Sequence, residues 1–465
     1  MNSEKNPNPG HVERYESMLK AQNIAFFEEE ELEEITDHYI RARQNRKALE
    51  VIALARKQHP FSPLFLVMKA QVHVHLGENQ VALEVLEEAE RMEPFYGDIH
   101  MTRGGIYGQM GLHQKAIVAY KRAGMYDIPE EEVKYCTAYE FSSMGEYAKS
   151  IPLLKRVLEL NPDHESAMAE LAYCYEHTGD IADSTAFFDA FTDKRPYNHN
   201  TWFNLGVAFS RGGQFEKAIE AYDYSLVIKE DYPSAIFNKA NALTALGKLD
   251  DAILLYKETF KYEEQRADTH YYIGECYERK QELDKALLHY NRATRIDPQL
   301  ADAWLGTGIV MEMMNRLQES VHYVKKAIEL APENAENWYV FGDLQLKLGF
   351  QEEAESAYRK VIEIEPENPN IWLDYSRVQF EMENAEIALE TLQEGIKFHP
   401  TNAELNYRMS AYLLTLGKKQ DALSYLHQAL QLDFDKHNAI FEFFPQLREN
   451  SGLNEIIESY RENNS

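Results

Sequence analysis

Small and apolar residues recur along this chain with one long period. Counted in steps of 34 residues from Glu29 to Lys436, the same positions keep the same character twelve times. Position 20 reads Ala48, Ala82, Ala116, Ser150, Ser184, Ala218, Ala252, Ala286, Ser320, Ala354, Ala388 and Ala422. Positions 20, 24 and 27 are spaced i, i+4 and i+7, one face of a helix, as in Ala116, Tyr120 and Ala123. Positions 4, 7, 8 and 11 form a similar face on the helix before it, as in Trp202, Leu205, Gly206 and Phe209. Small residues at 8 and 20 predict a close approach of the two helices, and large ones at 4, 11 and 24 fill the space beside it. Glycine occupies position 15 in eight repeats, from Gly77 to Gly417, where a positive φ can end the first helix. Proline occupies position 32 in eight repeats, from Pro60 to Pro400, and cannot continue the second helix. All four tryptophans, Trp202, Trp304, Trp338 and Trp372, fall at position 4. The pattern therefore predicts a helix hairpin in every repeat. One hairpin cannot bury its apolar faces alone, so neighbours must stack.

Trp202, Leu205, Gly206, Phe209, Ala218 and Tyr222 match nearly in full the pattern W-x2-L-G-x2-Y, then A-x3-F, then P. In these residues the chain resembles the tetratricopeptide repeat (TPR) family, over about residues 29–436. The resemblance implies an all-α fold, a right-handed α-solenoid superhelix of about twelve 34-residue helix-turn-helix repeats. It also implies that the first helices line a concave groove that commonly holds a peptide or a partner helix.

The ends differ from the middle. Residues 1–28 read as a polar leader with a short amphipathic stretch from His11 to Met18. Glu28 to Glu34 then brings six glutamates around Leu32, a charge suited to a helix N-terminus or to electrostatic docking. Residues 437–465 start like a thirteenth repeat and depart from it, with Ile440, Phe441, Phe443 and Phe444 before Pro445 and a helix expected over Asn454–Arg461. A solenoid needs an atypical unit over its last apolar face, so this segment reads as a C-terminal cap.

Composition changes the picture in two ways. A hydrophobic share of 44% with 27% charged residues is that of a soluble folded chain. The net charge of −29 disfavours nucleic acid and anionic membranes and favours basic partners. Cys136, Cys174 and Cys276 lack disulfide or metal spacing, and two of them fall at interior position 10; buried reduced thiols in a cytoplasmic protein are the expectation. No apolar run is long enough to span a membrane, and the N-terminus lacks a signal-peptide core.

Candidate chemistry is sparse. Phosphate-binding loops, nucleophile elbows and H-E-x-x-H are absent from the sequence. His73 and His75 lie two apart on a helix and point to different faces, which disfavours a metal site. The repeats leave fewer than 30 residues at either end, too few for a fused catalytic domain. The expectation is therefore a non-enzyme without cofactor or metal.

By the family's geometry, positions 2, 5, 9, 12 and 13 face the groove. Position 5 forms a largely aromatic stripe that includes Met101, Tyr135, Phe203, Phe237, Tyr271 and Tyr339; it is either inter-repeat packing or a binding ribbon. Two patches stand out. Gly105 and Gly108 at positions 9 and 12, beside Tyr135, Tyr139, Tyr173 and His177, suggest a shallow aromatic bay with backbone exposed at its base. Asn204, Asn238 and Asn241 offer amides that can pair with a peptide backbone. The carboxylate clamp of some family members is not expected, because no position 5 carries lysine and Asn241 is the only asparagine at position 9. Lys69, Arg103 and Lys239 stand at position 7, where leucine is usual, and their stems can lie on apolar surface. The function these features favour is a protein-protein interaction scaffold holding an extended peptide or partner helix. The alternative is an assembly protein that forms a homo-oligomer through its ends or convex face. RNA binding by a helical repeat fits the length but not the charge.

Overall fold

A computed structural model describes residues 9–21 and 25–464 of the chain. Among these residues every regular element is a helix. The second helix of each repeat starts at position 17 all twelve times, from Asn45, Asn79 and His113 to Lys419. The first helix starts at position 1 in ten repeats and is displaced by one residue in the other two, at Leu64 and Glu130. The chain divides into two compact halves, residues 1–230 and 231–465. Within each half, successive hairpins pack side by side.

The marks in the sequence each have a physical counterpart. Position 15 has a positive φ in every repeat, in the eight glycines and also in Arg43, Gln281, Asn315 and Glu383. The turn geometry is thus imposed by the hairpin, and four repeats tolerate it without glycine. Position 8 meets position 24 of the facing helix: a Cβ on Gly206 would lie 2.5 Å from Tyr222 Cε1, and one on Gly274 would lie 2.7 Å from Tyr290. At two of the three repeats with serine at position 20, the buried hydroxyl bonds across the hairpin. Ser150 Oγ donates to the Ala138 carbonyl at 2.8 Å and Ser320 Oγ to that of Gly308 at 2.7 Å, both across the hairpin to position 8.

Tryptophan and proline turn out to be one device. Each indole N–H donates to the carbonyl of the proline six residues earlier: Trp202 to Pro196 at 2.8 Å, Trp304 to Pro298 at 3.0 Å, Trp338 to Pro332 at 2.8 Å and Trp372 to Pro366 at 2.9 Å. The ring then lies on the second helix of its own hairpin, as Trp202 does on Tyr224 at 4.5 Å. Position 4 therefore fixes how one repeat enters from the last. Asparagine at position 34 does related work: the Asn198, Asn334, Asn368 and Asn402 side chains accept from the first amides of the next helix.

The amphipathic stretch in the leader is a helix, Pro9–Ala21. Its Tyr15 is buried against Phe27 and Tyr39, and Arg14 reaches Glu31 at 2.7 Å, so part of the glutamate cluster is neutralised. Residues 1–8 and 22–24 of the leader lie outside the described residues. In the second half, Ile440, Phe441 and Phe444 are buried, with Phe444 edge-on to Phe380 and Tyr412. The last helix is longer than expected, Ser451–Asn464, and it buries Leu453 and Ile457. Burial contributes about 1.5–3 kcal/mol for each large apolar side chain. The Phe443 side chain lies outside what is described. Cys174 and Cys276 are buried thiols, as position 10 implied. None of the described helices is long and apolar enough to cross a membrane.

Candidate functional site

The position-5 stripe is mostly packing. Val67, Leu305 and Tyr407 are buried, and most of the others are half-buried between helices. Phe203 lies 6.0 Å from Tyr222, Phe237 packs on Tyr256 and Tyr272, and Tyr271 on Tyr290. Tyr339 Oη donates to Asp374 of the next repeat at 2.8 Å. Met101 is half-buried, and Tyr135 leans on His164 at 4.7 Å. The more exposed rings are at position 9: Tyr139 is 51% exposed and Tyr173 45%. Tyr173 sits 4.1 Å from His177, and Tyr147 closes the group at 4.9 Å from that imidazole. Nothing in the repeat pattern marks Tyr147. It opens a second helix at position 17, and only the fold brings it beside position 9 of the next repeat.

The two groove glycines differ. Gly105 is open, with only Tyr120 Oη at 3.9 Å from where a Cβ would be. Gly108 is not an exposed floor: a Cβ there would lie 2.4 Å from Glu140 Oε1. The buried Glu140 carboxylate covers that backbone and is bonded to His113 Nδ1 at 2.7 Å. The bay expected from both glycines is therefore bounded by a carboxylate on one side.

Polar groove residues are held from behind. In four repeats the position-24 tyrosine passes its hydroxyl between the helices to position 9 or 12. Tyr222 reaches Ser210 at 3.1 Å, Tyr256 donates to Asn241 Oδ1 at 2.6 Å, Tyr290 donates to Glu278 at 2.7 Å, and Tyr358 donates to Asp343. Burial pushes the Glu275, Glu278 and Asp343 carboxyls above the ordinary carboxylate range. Because Tyr256 donates to its oxygen, Asn241 presents its amide N–H side, which reaches Asn238 Oδ1 at 3.5 Å. Asn204 is half-buried and lies in the first half, whereas Asn238 and Asn241 lie in the second. Among the described residues no group of three metal-ligating side chains comes together.

Tetratricopeptide repeat profiles match residues 36–97, 67–126, 237–301 and 313–370, residues 143–196 and 351–411, and residues 199–231, together more than half of the sequence. The chain belongs to the tetratricopeptide repeat family. TPR units generally mediate protein-protein interactions, and the family is typically non-catalytic. Against curated proteins no match is found. Among solved structures, the chain is similar to the APC/C hetero-tetramer Cut9-Hcn1, with 13% identity over 86% of this chain and 92% of that one, at a TM-score of 0.45. It is also similar to YrrB, described as a TPR protein with an unusual peptide-binding site (18% identity, 38% and 92% covered, TM-score 0.32). A TPR protein from Parabacteroides merdae shares 18% identity, with 53% and 97% covered and a TM-score of 0.39. These likenesses are too distant to carry an argument about partners.

Proposed function

We propose that this TPR chain is a non-catalytic scaffold that holds an extended peptide or a partner helix along the first-helix face. The observation that carries this is the preassembled ring group of the exposed Tyr173 and His177 with the half-buried Tyr147, held edge-on or tilted against one another, and Tyr139 exposed at the same position of the neighbouring repeat. Rings ordered before binding lose little side-chain freedom on contact, and aromatic anchors dominate interface energies. In the second half the carboxylates Glu275 and Asp343 sit at position 9 and favour a partner with basic side chains, in keeping with the net charge of −29. The Asn241 amide offers a donor to a backbone carbonyl of that partner.

The test is crosslinked affinity capture with the full chain, comparing wild type with Tyr139→Ala plus Tyr173→Ala and with Asn204→Ala plus Asn238→Ala. Loss of specific partners in either double variant, with the helical circular dichroism unchanged, is the expected result. An unchanged set of partners in both variants would show that the groove assignment is wrong. A concentration-dependent dimer that is lost on deleting residues 437–465 would instead favour the assembly role.

A further inference from the structure

Three polar side chains of repeat three converge on one furrow. Position 4 is His100, position 7 is Arg103 and position 26 is Arg122; a cation also stands at position 26 in four other repeats, but only repeat three joins it to an arginine at position 7. In repeat six this space holds Trp202 stacked on Tyr224. In repeat three an imidazole, stacked on Tyr126 at 5.5 Å, and a guanidinium stand in place of those two rings. The furrow lies between the helices Gly97–Gln109 and His113–Ala123, has a volume of about 400 Å³, and is lined by His100, Arg103, Tyr107, Lys115, Val118 and Arg122 among others.

Its charges are arranged by contacts from the neighbouring repeat. The Glu90 carboxylate, on the helix Asn79–Met92, accepts from Arg103 Nη2 at 2.6 Å and pairs with Arg122 Nη2 at 2.8 Å. Arg103 Nη1 also donates to His100 Nδ1 at 3.2 Å, so that nitrogen is an acceptor and the ring is neutral. Burial, with Arg122 and Arg103 alongside, lowers the His100 pKa in agreement. Lys115 sits over the Tyr107 ring at 5.7 Å and has no carboxylate partner among the described residues. Two guanidiniums and one ammonium against one carboxylate leave two positive charges around a cavity, in a chain whose net charge is −29.

We propose that this furrow binds a small phosphate monoester. The phosphoryl dianion pairs with Arg122 and Lys115, and the apolar body of the ligand lies over Tyr107 and Val118. Arginine's fork suits phosphate, and Glu90 holds the Arg103 and Arg122 guanidiniums in place before the ligand arrives. The volume suits a small molecule, and the cavity lies within a single hairpin. Its ligand contacts lie at positions 11, 19, 22 and 26 and at none of the groove positions, so it does not depend on the scaffold role.

The experiment is isothermal titration of the full chain with phenyl phosphate, inorganic phosphate and benzoate. Phenyl phosphate is expected to saturate at millimolar concentration or below. Inorganic phosphate, which lacks the apolar body, and benzoate, which carries one charge, are expected to bind more weakly, benzoate by about tenfold. Arg122→Gln and Lys115→Gln should each weaken phenyl phosphate by about tenfold. Both side chains reach solvent, so folding is unaffected, and circular dichroism checks this. The proposal is overturned if phenyl phosphate does not saturate, if benzoate binds equally well, or if both variants bind like wild type. A phosphotyrosine peptide binding far more tightly than phenyl phosphate would also overturn it, by assigning the site to a macromolecular partner.

Discussion

Gly104 and Gly105 are adjacent on one helix, and the structure assigns them opposite responses to the same change. A Cβ on Gly104 would lie 2.4 Å from Tyr120 Cε1, 2.6 Å from Cδ1 and 2.8 Å from Cζ. Tyr120 is 5% exposed, so its ring has little room to retreat. A Cβ on Gly105 would meet only Tyr120 Oη, at 3.9 Å. Replacing glycine by alanine inside a helix gains about 1 kcal/mol in propensity at either position. At Gly104 that gain is set against an overpacking cost of about 1–3 kcal/mol. Gly105→Ala should therefore stabilise the hairpin by up to about 1 kcal/mol, and Gly104→Ala should fall below it by about 1–3 kcal/mol. Since propensity cancels between the two variants, their difference reports the close approach alone. A solenoid of this length need not unfold in one step, so the local readout is amide hydrogen exchange of peptides covering residues 97–123, supported by urea midpoints. Equal protection in the two variants would refute the account of position 8 as the close-packing position.

Glu383→Gly and Gln281→Gly should each raise the urea midpoint, because a side chain at positive φ costs about 1 kcal/mol or more and glycine's larger unfolded entropy offsets only part of it. Asn315→Gly should change little, since asparagine tolerates that conformation; equal gains in all three variants would contradict a conformational origin. His270 and His289 share a buried Nδ1–Nδ1 hydrogen bond of 3.0 Å. Burial holds both pKa values down at about 4, with Arg292 adding to it at both rings and Lys257 at His289. Above the unfolded pKa of about 6.5 both states are neutral and contribute no pH dependence. As the pH falls from there towards 4, the unfolded chain takes up protons that the folded one refuses, so stability is lost, by about 2 kcal/mol per imidazole at about pH 5. Burial raises the Glu275 and Glu278 pKa values, which acts in the opposite direction. The measure is therefore the difference in pH profile between wild type and His289→Phe, and an unchanged slope between pH 6.5 and 4 would contradict a neutral buried pair.

The hairpins were legible because their requirements are local. Position 15 needs a positive φ and positions 8 and 20 need small side chains, and a period of 34 residues displays both twelve times. Ser150 and Ser320 at position 20 preserve the pattern, since a hydroxyl that bonds the facing carbonyl is nearly as small as a methyl group. Contacts between repeats were not legible in the same way. The sequence marks tryptophan and proline separately, and only the fold shows the indole bonding a carbonyl six residues back. Gly108 read as open floor because its cover, Glu140, belongs to the next repeat at position 10, a site the pattern treats as interior.

The same limit bears on how specificity arises in the groove. Positions 9 and 12 look like free choices on a surface, yet in four repeats the tyrosine behind them selects their orientation. A polar side chain there has one hydrogen-bonding site occupied from within. What remains for a partner is the complement: an amide donor at Asn241, and at Asp343 a carboxylate with one contact already made. A buried tyrosine at position 24 can therefore alter partner choice without touching the partner, so the groove has to be read as pairs of positions in depth and not as a single row along its surface.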